Sequence, residues 1–153
     1  MNGKLHFRPA EADDFDAVQD LSAQLARHIE APAPALTRTQ FAARYIGPAA
    51  PMRLLLAADG ARVTGLVAWT VTYELYSGDA RAYISDLVVA SDARGRGTGH
   101  ALMAEVTAMA RAQGIAKLGW EVWYRNTSAM AFYDGLGATR DREALPYVIE
   151  IPA

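Results

Sequence analysis

The run "AYISDLVVASDARGRGTGHALM", Ala82 to Met103, constrains the fold more than any other part of the chain. An apolar, β-branched stretch passes through a loop holding Gly95, Gly97 and Gly99, with Arg94 and Arg96, into a stretch of helical apolar spacing. This reads as strand, glycine turn and helix. The first turn of a helix leaves backbone N–H groups without intrahelical partners and carries partial positive charge. Glycines let such a turn adopt positive φ and approach a ligand closely, and successive N–H groups then form a nest for an anion. The two guanidinium groups add charge-assisted donors. The turn suits phosphate or pyrophosphate. A glycine cluster alone is equally compatible with a solvated loop, so the surrounding chain has to decide.

A length of 153 residues with 52% hydrophobic content suits one buried core, and residues 1–153 are expected to form a single domain. The net charge of -2 argues against nucleic acid or an anionic membrane as partner, so any anion site is local. With no cysteine, disulfides, thiolate metal sites and a cysteine nucleophile are excluded. The opening residues contain no apolar signal core, and no run is long enough to span a bilayer, which makes the cytoplasm the expected location. His6, His28 and His100 stand far apart without ligand spacing, and no metal site is expected.

Helix and strand signals alternate along the chain. "KLHFR", Lys4 to Arg8, reads as a strand, and Ala10 to Ile29 as an amphipathic helix with acids in its first turn. The "APAPA" connector is stiff, and Thr37 caps a short helix after it. "MRLLLAAD", "RVTGLVAWTVTYEL" and "RAYISDLVV" read as three strands, the first two joined at Asp59-Gly60, a hairpin signal that implies antiparallel pairing. A helix from Gly97 to Gln113 stops at Gly114, and "KLGWEVWY" follows as a strand. "NTSAMAFYDGLG" reads as a helix capped by Asn126 or Thr127, and "PYVIEI", Pro146 to Ile151, as a last strand. The order predicts an α/β chain: a mixed, mostly antiparallel sheet with helices on both faces.

The named phosphate loops fail here. A Walker loop needs Lys and Ser/Thr after its last glycine, where this chain has His100 and Ala101. A dinucleotide fingerprint from Gly95 would need glycine at His100 and a ribose-binding acid at the end of the next strand, whereas Glu121 falls inside "GWEVWY".

What remains is Arg94-x-x-Gly97-x-Gly99 behind "DLVV" and ahead of a helix, which resembles the acetyl-CoA signature of the GNAT superfamily of N-acetyltransferases. A second stretch, "NTSAMAFYDGLGA" from Asn126 to Ala138, resembles that family's Asn-x-x-Ala-x-x-Phe-Tyr-x-x-x-Gly helix at the family's spacing. The pair of motifs is nearest to the spermidine/spermine and thialysine acetyltransferase-like branch. The resemblance implies a sheet with a splayed strand pair, acetyl-CoA as cosubstrate, and frequent homodimers. It places the pyrophosphate on Arg94, Gly95, Arg96, Gly97, Thr98 and Gly99, and the pantetheine arm along Leu87, Val88 and Val89. It brings Asn126 to the cofactor, and gives Tyr133 the protonation of the departing thiolate. Outside the motif, Tyr133 would read as a core aromatic.

Transfer needs a neutral amine, and a primary amine such as lysine's, with a pKa of about 10.4, is mostly protonated at neutral pH. Asp86, beside the thioester-binding segment, and Glu121, in the neighbouring strand, are the candidate bases, with a salt bridge or a solvated face as the competing reading of each. The branch named above has an acidic pair where this chain has Ser85-Asp86, which weighs against a polyamine acceptor. "TYELYSGDARAY" supplies Tyr73, Glu74, Tyr76 and Asp79, which suit a cation or form a polar hairpin. The chain is expected to be a CoA-dependent N-acetyltransferase acting on a primary amine of a small molecule, a polyamine, an amino acid or similar, or on a protein amine. The alternative is a non-catalytic acyl-CoA-binding or sensing module.

Overall fold

The capping box that the sequence writes at Thr37 and Gln40 forms: Thr37 Oγ1 accepts from Gln40 N–H at 3.2 Å, and Gln40 Oε1 accepts from Thr37 N–H at 3.0 Å. The computed structural model describes residues 5–152. Its elements are β1 (Leu5–Pro9), α1 (Phe15–His28), α2 (Arg38–Tyr45), β2 (Arg53–Asp59), β3 (Arg62–Tyr73), β4 (Ala80–Val89), α3 (Thr98–Ala112), β5 (Leu118–Trp120) and α4 (Thr127–Gly135). Short 3-10 turns at Ala12–Asp14 and Ser91–Ala93 precede α1 and the glycine loop. Lys4, the first residue of the expected opening strand, lies outside the described residues.

The chain forms two compact units, Met1–Glu121 and Val122–Ala153. In the first, the sheet runs β1-β2-β3-β4-β5, with three antiparallel pairings and a parallel one between β4 and β5. The expected mixed, mostly antiparallel sheet is present. Alternation along each strand sends side chains to two faces. Leu54, Leu56, Leu66, Ala68 and Val88 pack with Phe15, Val18, Leu21 and Phe41 of α1 and α2. The intervening Leu55, Val67 and Trp69 point the opposite way, toward the side where α3 buries Leu102, Val106 and Ala110. Helices therefore cover both faces.

Phe41 is 1% exposed and stands between two rings, edge-on to Phe15 at 5.6 Å and stacked on Tyr45 at 6.0 Å. Truncating such a residue costs about 3–5 kcal/mol. At the entrance to α1, Asp14 takes two hydrogen bonds of 2.7 Å from Arg8 and one of 2.7 Å from Glu11 N–H. That bidentate clamp fixes where β1 hands over to α1.

Two strand expectations fail. The strand read across 117–124 is confined to Leu118–Trp120, because the chain turns at Trp123, whose carbonyl accepts from Asn126 N–H at 2.8 Å ahead of α4. The strand expected at 146–151 does not form: Tyr147 is 91% exposed and Ile149 87%. Alternating apolar residues describe a surface suited to a sheet, yet a strand exists only where a partner supplies the ladder, and no strand lies in Val122–Ala153 among the described residues.

Candidate acyl-transfer site

At the mouth of α3 the sequence dictates the geometry most directly. Gly97 is the N-cap at φ +83°, a conformation that costs any residue with a Cβ, and Gly95 stands at φ +73°. An ideal Cβ at either would meet nothing within 4 Å, so what these positions require is the backbone conformation rather than space. Gly97 offers no capping side chain, and α3 begins without a side-chain cap. Gly99, in contrast, lies within the helix and takes no positive φ, so its contribution is a bare first turn and not a nest. Thr98 is 5% exposed, its side chain packed inward against Gly65 of β3. Arg94 and Arg96 are exposed, and Arg94 Nε donates to Val89 O at 3.1 Å, tying the loop to the end of β4.

Beside this mouth the sheet opens. The β4–β5 ladder pairs Ala82, Tyr83 and Ile84 with Leu118, Gly119 and Trp120, and then stops, while β4 continues to Val89. Strand N–H and C=O groups alternate between the two neighbours. Ala90 N–H donates to Thr64 O on the β3 side, so Val88 also faces β3, and Leu87 and Val89 face the opening. The splayed pair therefore exists, with the main chain of Leu87 and the N–H of Val89 along its edge, while Val89 O is taken by Arg94.

A β-bulge controls which side chains meet there. Ala68 pairs with Asp86 but Trp69 with Ile84, so Ser85 is an extra residue in β4. Its presence inverts the alternation: Ala82 and Ile84 point to the α3 face, whereas Asp86 and Val88 join Ala68 and Leu66 on the α1/α2 face. Ser85 Oγ donates to Asp86 Oδ2 at 2.7 Å. Asp86 is half-buried, as its apolar neighbours imply.

Glu121 needs a correction. It lies one residue beyond the end of β5 and is exposed, rather than within the strand, because the ladder ends at Trp120. Two tyrosines sense these acids, Tyr83 both of them and Tyr45 Asp86 alone. Burial and then the charge of Asp86 push the Tyr45 phenol above its ordinary value, and burial, Glu121 and Asp86 do the same to Tyr83. Tyr45 and Tyr83 went unnoticed in the sequence, since each is a lone aromatic whose link to Asp86 exists only in the fold.

Asp86 and Tyr45 also line an open pocket of about 280 Å³ bounded by α1, the 31–36 connector, α2 and the sheet, with Leu25, Leu36, Phe41 and Leu54 among its walls. The β3–β4 connector does not line it. Glu74 there is engaged by Arg81 at 3.6 Å and by Ser77 at 3.2 Å, which makes that stretch a polar hairpin.

In the second unit, Asn126 Oδ1 accepts from Ala129 N–H at 3.2 Å and from Ser128 Oγ at 3.1 Å, which makes Asn126 the N-cap of α4. Tyr133 lies in α4, half-buried, with Phe132 edge-on at 5.1 Å, and burial raises its phenol pKa above the ordinary tyrosine value.

The fold is that of acetyltransferases of known structure. A possible acetyltransferase from Clostridium difficile 630 superposes with a TM-score of 0.81 at 16% identity, covering 97% of this chain and 99% of that one. A transcriptional regulator from Bacillus halodurans C-125 gives 0.80 at 24% identity, covering 95% and 100%. An aminoglycoside acetyltransferase from an uncultured soil metagenomic sample, in complex with sisomicin, gives 0.80 at 15% identity, covering 97% of each. No curated protein matches the sequence significantly. The model of the Acetyltransferase (GNAT) family matches residues 16–138, and the chain belongs to that family. It is an acyltransferase, of a family that uses acetyl-CoA as cosubstrate. Among the described residues, no helix is long and apolar enough to cross a membrane.

Proposed function

We propose that the chain transfers an acetyl group from acetyl-CoA directly to the nitrogen of a primary amine on a small molecule, and that residues 1–153 act as one domain. The observation that carries this reading is the opening between β4 and β5 beside the bare, glycine-capped start of α3. The family match runs through both compact units, which supports the single domain. The finer placement beside the spermidine/spermine and thialysine branch rests on the two motifs alone, and Ser85 stands against it.

Acetyl-CoA, when bound, supplies a thioester whose carbonyl carbon is the electrophile. The main chain of Gly95, Gly97, Thr98 and Gly99, with the guanidinium groups of Arg94 and Arg96, holds its pyrophosphate against the partial positive charge of α3. Leu87 offers its outward main-chain groups to the extended arm as an added strand would, and Val89 N–H polarises the carbonyl oxygen. Val88, facing β3, packs the floor instead of sharing that role. Asn126 fixes the start of α4 and through it Tyr133.

Asp86, assisted by Glu121, attracts the ammonium and passes one of its protons to solvent. The nitrogen lone pair then forms the N–C bond as the C–S bond breaks. Tyr133 gives its phenolic proton to sulfur and is restored by the second proton lost from nitrogen. The products are a neutral amide, a free thiol and one proton. Because burial raises the Tyr133 pKa, the acid stays protonated throughout the neutral range and activity falls only above the ordinary tyrosine value of about 10.

The test is thiol release from acetyl-CoA with primary amines, in the wild type and in Tyr133→Phe. The variant keeps the ring, so kcat should fall about tenfold or more with little change in KM or melting temperature. An unchanged kcat with a lowered melting temperature would assign the phenol a structural role.

A further inference from the structure

We infer that the acceptor is a monoamine on a compact apolar body, its ammonium at Asp86 and its body in the cavity under α1 and α2; this rests on the acetyl-transfer reading and names its substrate class. Of the sixteen residues around the cavity, Asp86 alone carries a charge, and only Ser22 and Tyr45 add hydroxyls. One carboxylate neutralises one ammonium. A second ammonium on the same molecule, as in a polyamine or an aminoglycoside, would lie among Leu25, Leu36 and Phe41, with no second carboxylate in the lining.

The size agrees with the charge. About 280 Å³ lies at the small end of ligand pockets, which begin near 300 Å³, and holds a short alkyl or single-ring body rather than a multi-ring sugar. The wall is also built to persist. Gln19 Nε2 donates to Leu36 O at 2.6 Å and Arg38, two residues on in α2, pairs with Asp16 at 2.6 Å, so the connector's exit is tied to α1. The prolines at 32 and 34 stiffen the span between. Polarity thus falls steeply from the carboxylate at the bulge into the cavity, matching a molecule with one cationic end.

The experiment measures thiol release above an amine-free background, at fixed ionic strength, for the n-alkylamines from propyl to hexyl, for phenethylamine and for spermidine. The expected kcat/KM rises about fourfold per added methylene until the cavity is full, and phenethylamine exceeds spermidine at least tenfold. Ser22→Trp, which places an indole in the cavity from α1, should flatten that rise, and Ala35→Trp should do so from the exposed connector if the first variant does not fold. A flat wild-type series, or a preference for spermidine, overturns the inference while thiol release continues and the acetyl-transfer reading stands. No thiol release with any amine overturns that reading and the inference with it.

Discussion

The mouth of α3 and the cavity beneath α1 and α2 lie in one compact unit but are built in opposite ways. The first is a continuous segment, Arg94 to Gly99, whose properties are main-chain properties: positive φ at Gly95 and Gly97, a helix start with no side-chain cap, and arginines beside it. The second is gathered from α1, the connector, α2, β2, β3 and β4, and its one charge, Asp86, stands next to the bulge at Ser85 in β4. A site made of backbone tolerates side-chain variation but not a change of φ. A site made of side chains should respond to volume and charge, and hardly to backbone substitutions elsewhere.

Gly97→Val should have the largest effect. A β-branched residue at φ +83° forces the N-cap out of its conformation, and the affinity for CoA should drop about a hundredfold or more with the sheet intact. Asp86→Asn acts on the other region. It should lower kcat/KM about tenfold at pH 7, where the amine most needs a base, and the variant should converge on the wild type as the pH rises and the amine loses its proton unaided. A variant profile parallel to the wild type at every pH would mean that Asp86 only packs.

The smallest effect on the two sites themselves belongs to the clamp that orients α1, which acts on stability alone. The hydrogen bonds from Arg8, with that from Glu11 N–H, hold the Asp14 carboxyl below its usual range despite burial. A depressed carboxyl contributes stability above its unfolded pKa of about 3.9 and loses it as the pH falls through the lower folded value. Asp14→Asn should therefore cost about 1–3 kcal/mol at pH 7 and approach the wild type in melts as the pH falls below the depressed folded value.

The same contrast explains what the sequence reveals. Gly97, Thr37, Asp59-Gly60 and Asn126 act on their immediate neighbours, and each does what its residue type announces. Tyr45 and Asp86 are forty-one positions apart and come to one cavity only because α2 packs across the sheet face that carries Asp86. Glu121 fell outside its expected strand for the same reason, since the length of β5 is set by how far β4 pairs with it and not by the β propensity of "WEVWY". Pro146 to Ile151 has strand-like residues and no ladder.

The central claim is that the loop at α3 holds the cofactor and the α1/α2 cavity holds the acceptor, each without the other. Calorimetric titration of CoA into the wild type, Gly97→Val and Ser22→Trp side by side tests it most directly. Loss of affinity in Gly97→Val with wild-type affinity in Ser22→Trp is the predicted result. Wild-type affinity in Gly97→Val, or a loss confined to Ser22→Trp, would place the cofactor elsewhere and contradict the account.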